Sequence, residues 1–243
     1  EARFSWLAMR EALDRGHPVI CLTDIFYLDY FQTSHHFSGH AIVLAGYGED
    51  VVLVADTGRT ELQLLPVKSL ERAMYSSKLP YPVNYQWMEV DDVPDFSFPE
   101  AIARALVDNA EEMLNPRVPN YGLPAMERWA TSISNWPEES EDWAWCARFG
   151  YQVIMRRGTD GGNFRFLYSD FLRQAETLIP AVNRWRAAEK MYNLGQMWRA
   201  LGLILQEISE HNDPSGFSRA QNLATYILRQ EESYYQGIRS ILA

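Results

Sequence analysis

His40 and Asp56, sixteen positions apart, are the two side chains whose types and setting best suit chemistry. A carboxylate that holds an imidazole fixes its tautomer and stabilises the imidazolium formed when the ring takes a proton. Such a pair is the base and orienter that a nucleophile requires. The stretch that carries them, GHAIVLAGYGEDVVLVADTG at residues 39–58, reads as a β-hairpin. Residues 41–45 and 51–55 are apolar and rich in β-branched types, and Gly46, Gly48, Glu49 and Asp50 between them favour a turn. A hairpin symmetric about Gly48 pairs residues whose numbers sum to 96, which sets His40 directly opposite Asp56 on one face. The alternative is that a histidine and an aspartate merely end two buried strands at an exposed rim, because a slip of one residue would separate them.

The flanking elements must position this pair. FSWLAMREALDRG has helical apolar spacing and a terminating Gly16, and PVICLTD after it reads as a strand buried on both faces with Cys21 in its middle. A mid-strand cysteine is a packing residue, since a reactive thiol needs an accessible, electropositive setting. Asp24 ends that strand. The aromatic loop IFYLDYFQTSHHFSG follows, carrying Tyr27, Tyr30, His35 and His36, and is suited to lining a substrate cleft. His35, His36 and His40 lack the helical offset or the partners of a zinc site, so neither a metal nor a cofactor is expected. ELQLL is a further strand, Ser69 is placed to cap a helix through LERAMYS, and YQWMEV is a last strand.

A domain boundary falls in DDVPDFSFPE, dividing the chain into a sheet domain at 1–92 and a helical domain at 93–243, with Ser97 and Glu100 forming a capping box. Everything beyond has helical periodicity, including one long helix from AVNRWR to ISEH. GTDGGNFR interrupts two helices. Its Thr159, Gly161 and Gly162, with Arg165 one turn on, offer backbone N–H groups and a cation to a phosphate or carboxylate. The alternative is an interhelical turn that needs positive φ. Trp136, Trp143, Trp145, Trp185 and Trp198 recur at spacings expected of core anchors.

Composition narrows the function classes. A chain of 243 residues, 47 % hydrophobic, can bury a sizeable core, and its net charge of −10 argues against nucleic-acid phosphates and anionic membrane surfaces as partners. A basic carrier or a cationic substrate suits that field better. No apolar run approaches the roughly 20 residues that span a bilayer, which points to a cytoplasmic protein. Cys21 and Cys146 lie far apart in sequence and in different kinds of element, so a disulfide-stapled secreted fold is not expected. The chain starts at Glu1 rather than Met and is helical within a few residues, which suggests a preceding segment.

The residues from FSWLAMREALDRGHPVICLTDIFYLDY through HFSGHAIVLAGYGEDVVLVADTG resemble the papain-like N-terminal domain of the butirosin biosynthesis protein H family. RRGTDGGNFRFLYSDFL and its surroundings resemble the helical domain of undefined function that follows it. The resemblance implies an α+β fold, with a papain-like (C39-peptidase-like) antiparallel sheet domain, N-terminally incomplete, ahead of an all-α domain. It implies an acyltransferase that moves an acyl or aminoacyl group from a carrier-protein thioester to a small-molecule amine, with His40 as general base and Asp56 as its orienter. It also draws Asp24, Tyr27, Tyr30, Thr159, Gly161, Gly162 and Arg165 toward substrate binding. The family's nucleophile is a cysteine on a helix that would lie ahead of Glu1. Neither Cys21 nor Cys146 matches it. A cysteine peptidase or amidohydrolase, and a non-catalytic module binding a carrier or peptide, stay open beside the transferase, as does a homodimer.

Overall fold

The computed structural model describes residues 3–57, 59–79 and 81–242; Gly58, the last residue of the hairpin segment, lies outside them. The chain splits into two compact units, Glu1–Asp95 and Phe96–Ala243. The first is α+β and the second helical, so the fold class is a sheet domain followed by a helical one.

The first unit opens with helix α1 (Trp6–Asp14), closed by Gly16 at φ +83°, a conformation glycine adopts without strain. Strand β1 (Val19–Asp24) follows, then two short 3-10 turns at Ile25–Tyr27 and Asp29–Phe31. Next come β2 (Ser38–Tyr47), β3 (Val51–Ala55), β4 (Gln63–Pro66), helix α2 (Val67–Ala73), and the short strands β5 (Tyr75–Ser76), β6 (Val83–Asn84) and β7 (Trp87–Glu89). The main sheet is antiparallel in the order β4-β3-β2-β1-β7, and β5 pairs with β6 in a separate ribbon.

Alternation along the strands gives this sheet two unlike faces. Val19, Cys21, Ile42, Leu44, Val52, Val54 and Leu65 pack with Met9 and Ala12 of α1 and with Leu70 and Ala73 of α2 into one core. The other face carries Ile20, Leu22, Val43 and Leu53, all half-buried, with Leu64 and Met88 exposed. β1 is therefore buried on one side only, not on both as its continuous apolar run suggests. Ser69 lies inside α2 rather than at its cap; its hydroxyl donates to Asp29.

The second unit contains α3 (Phe98–Leu114), α4 (Gly122–Ser132), the single turn α5 (Trp136–Glu139), α6 (Trp143–Met155), α7 (Arg165–Leu178), α8 (Pro180–Trp185), α9 (Ala187–His211) and α10 (Phe217–Leu242). Ser97 is the N-cap of α3, but its side chain makes no capping hydrogen bond, so the expected box does not form. The helix expected to be continuous from AVNRWR onward breaks at Arg186, which adopts φ +58° and separates α8 from α9. No helix among the described residues is long and apolar enough to cross a membrane.

Candidate active site

β2 and β3 form the expected hairpin, with Gly48–Asp50 as its turn and Gly48 N–H donating to the Val51 carbonyl at 2.8 Å. Its register differs from the symmetric one. Val43 pairs with Ala55 and Leu44 with Val54, and beyond a bulge at Ala45 Gly46 pairs with Leu53 and Tyr47 with Val52. Gly46 is thus a strand residue. Continued toward the open end, this register sets Asp56 opposite Ile42, and His40 becomes its diagonal neighbour two residues along. Diagonal neighbours on one face lie about 7–8 Å apart, which a histidine side chain spans.

The two side chains meet. His40 Nε2 lies 2.8 Å from Asp56 Oδ1. The Asp56 side chain is fully buried and that of His40 is 18 % exposed, so the dyad sits at the border of the core. A carboxylate oxygen accepts, so Nε2 is the ring nitrogen that carries the N–H, and in the neutral ring the lone pair lies on Nδ1. Nδ1 makes no hydrogen bond among the described residues. The second oxygen of Asp56 accepts from the Tyr30 hydroxyl at 2.6 Å. Burial, with the Asp56 carboxylate beside it, pushes the Tyr30 phenol well above its ordinary range, which keeps it a donor.

Residues that sequence reasoning overlooked hold this arrangement. Thr23, fully buried on β1 and paired with His40, donates its hydroxyl to the His40 carbonyl at 2.9 Å. The Phe31 ring stands edge-on to the imidazole, 5.4 Å between centroids. The Arg59 guanidinium lies over Phe31 at 5.0 Å and over Tyr30 at 5.7 Å, and donates to the Tyr30 carbonyl. Phe31 ends a three-residue 3-10 turn and Arg59 lies in a loop, where no periodicity marks a partner; only a short aromatic cluster, YLDYF, could have drawn attention to the first.

Asp24 is occupied elsewhere. Its buried carboxylate accepts from the N–H groups of Phe26 and Phe37 on Oδ1, and from Ser76 and His36 on Oδ2 at 2.7 and 2.8 Å. Burial pushes its carboxyl up, but the Ser76 and His36 side chains and the two N–H groups outweigh that and hold it below the usual value. Asp24 pins both ends of the aromatic loop, which leaves it nothing to offer a substrate. Tyr27 packs against Phe26 and His36, with Arg72 at 5.0 Å over its ring. Cys21 is buried at the sheet centre, where desolvation pushes its thiol up to about 12, consistent with packing. Cys146 lies on α6 in the other unit.

The groups expected to hold an anion are engaged within the helical unit. Thr159 is buried and donates to the Ile154 carbonyl, the N–H groups of Gly162, Phe164 and Arg165 bond backbone carbonyls of the turn itself, and that of Asn163 bonds the Ile154 carbonyl at the end of α6. Arg165 forms a fork with the fully buried Glu231, at 2.7 and 2.6 Å. Gly161 takes φ +72°, and its carbonyl accepts from Arg199; Gly162 leaves no room for a Cβ beside the Phe166 ring. This is an interhelical turn, with the cation neutralised and most donors spent.

With the geometry in place, family comparison is informative. Residues 68–238 match the model described as Domain of unknown function (DUF4872), and residues 1–57 match Butirosin biosynthesis protein H, N-terminal. The chain belongs to the DUF4872 family, behind an N-terminal segment of the butirosin biosynthesis protein H type. Comparison with curated proteins finds no match. His40 and Asp56, with Asp24, Tyr27 and Tyr30, fall inside the N-terminal match. The DUF4872 match begins within α2, so residues 68–95, including edge strand β7, belong to the sheet unit although they fall under the second family description.

Proposed function

We propose that this member of the butirosin biosynthesis protein H and DUF4872 lineage is a thiol-dependent acyltransferase of secondary-metabolite biosynthesis. It moves an acyl or aminoacyl group from a carrier thioester to an amine, with His40 as base and Asp56 as orienter. The observation that carries the reading is the buried Asp56 carboxylate, which holds Nε2 of His40 at 2.8 Å while Nδ1 stays without a partner among the described residues. The thiol is the cysteine nucleophile that the family resemblance implies, and it is not Cys21. Cys21 is sealed in the core.

In this scheme the thiol gives its proton to Nδ1 of His40, and the thiolate attacks the thioester carbonyl. The tetrahedral adduct collapses with loss of the carrier thiol, which takes that proton, and leaves an acyl group on the enzyme cysteine. The acceptor amine then attacks the acyl carbon, His40 removes the amine proton, and the cysteine departs and is reprotonated as the amide forms. General base assistance of this kind contributes about 10²–10⁴ in rate. A chain of net charge −10 favours a basic amine as acceptor.

The test uses the full-length protein and a carrier-bound or small-molecule thioester, with the acyl adduct followed by intact mass. His40→Ala is expected to abolish the adduct without altering the circular dichroism spectrum. An adduct that accumulates as in the wild type would remove His40 from the mechanism. Supplying the thioester with and without an amine distinguishes transfer from hydrolysis: amide product supports the transferase, whereas free acid in both cases replaces it with a hydrolase.

A further inference from the structure

The helical unit contains a cavity of about 910 Å³ that the dyad chemistry does not use. Its walls are Met126 and Trp129 of α4, Trp136 of α5, Trp145 and Phe149 of α6, and Trp198 of α9. Three of the four indoles are braced by the protein. Trp129 stacks on Trp198 at 6.0 Å, Trp198 donates its N–H to Glu231, and Trp136 stands edge-on to Phe217. Trp145 behaves differently from the core anchor expected of it. It is 49 % exposed, and Phe149, one turn along the same helix, is 44 % exposed, with the two rings 6.4 Å apart. Large aromatic surface left uncovered in a concavity is what a ligand of complementary shape would cover.

Charge narrows the ligand class. Glu139 lines the cavity and makes no hydrogen bond or ion pair among the described residues. It belongs to the run Glu138, Glu139, Ser140, Glu141, Asp142, in which Asp142 caps α6 by accepting from the Trp145 backbone N–H. The lining also holds Arg128, which donates to the neutral side-chain oxygen of Asn120 at 3.0 Å and keeps its charge, so the preference for a cation rests on the ring faces and on Glu139 rather than on the net charge of the lining. We propose that this cavity binds an organic cation with an apolar body, its quaternary or protonated nitrogen lying against the exposed indole of Trp145 within reach of Glu139. Ring faces attract cations through their quadrupole, indole most strongly. The unit already uses its rings in this way, with Arg165 at 5.1 Å over Trp198 and Arg157 at 4.8 Å over Phe149.

Isothermal titration calorimetry on the full chain tests the assignment with three probes: benzyltrimethylammonium, benzyl alcohol and phenylacetate. The cation is expected to bind saturably at one site, roughly three- to thirtyfold tighter than the neutral alcohol, with phenylacetate weakest. Glu139→Gln is expected to erase most of that advantage while leaving benzyl alcohol unaffected, and Trp145→Ala to weaken the cation severalfold. Both side chains are exposed, and circular dichroism checks that the fold persists. The proposal is overturned if benzyl alcohol or phenylacetate matches the cation, if the cation gives no saturable heat, or if both variants leave its affinity unchanged.

Discussion

The phenol of Tyr30 donates at 2.6 Å to Oδ2 of Asp56, the oxygen that His40 does not use. Tyr30→Phe keeps the ring and removes the donor, leaving one oxygen of a fully buried carboxylate unsatisfied. The expected cost is about 1–3 kcal/mol, read as a lower urea midpoint at unchanged slope. An unaltered midpoint would mean that Tyr30 is incidental to how Asp56 is held.

Asp56→Asn replaces an acceptor by an amide that can turn its NH₂ toward His40. The ring would then be pushed to carry its proton on Nδ1, where the mechanism needs a lone pair. Acyl-adduct formation should fall by about 10²–10⁴, with the circular dichroism spectrum retained. Adduct formation at the wild-type rate would show that Asp56 does not set the tautomer.

Acid stability should report on Asp24. Its carboxyl is held below the usual value in the folded chain; in the unfolded chain it returns to about 3.9. A depressed folded-state value means that the group favours folding above the unfolded value and loses that contribution as pH falls through the folded one. Asp24→Asn should therefore be less stable than the wild type at neutral pH, with the difference shrinking as pH drops below about 4. Parallel urea midpoints from pH 7 to pH 3 would contradict the role given to its hydrogen bonds.

Alkylation separates the two thiols. Cys21 is buried and desolvated, its thiol pushed up to about 12, whereas Cys146 is only half-buried. Brief iodoacetamide treatment of the native chain, mapped by peptide mass, should modify Cys146 and spare Cys21 until denaturant is added. Modification of Cys21 first would place it outside the core.

Arg165 and Glu231 form the most deeply buried salt bridge of the helical unit. Arg165→Met strands a carboxylate that the Trp198 N–H alone would still satisfy, at an expected cost of about 3–5 kcal/mol. Combining it with Glu231→Leu should recover much of that loss. A double variant no more stable than Arg165→Met would mean that the pair is held for more than charge balance.

The hairpin was legible because two β-branched runs flank glycines and acids, a local signal. Its register was not, because a bulge at Ala45 depends on cross-strand packing rather than on the propensity of any residue. His40 and Asp56 nevertheless share a face in both registers. The expected sum of 96 and the observed 98 at Val43 and Ala55 differ by two residues, and only an odd slip sends a side chain to the opposite face. Tyr30 reaches Asp56 from 26 positions away, a distance no local pattern encodes. The two-residue strands β5 and β6 carry no periodicity, and the break at Arg186 has no glycine to announce it. Trp145 looked like a core anchor because helical spacing identifies a face without saying what covers it.

The bulge at Ala45 also gives the hairpin slack. The strands toward the turn pair one step out of phase with those toward His40 and Asp56, so a residue gained or lost near Gly48 can be absorbed at that kink before it reaches the open end. Related chains with turns of unequal length could then keep the imidazole and its carboxylate in place, and the reach of this hairpin's tip could drift through evolution while its base stays still.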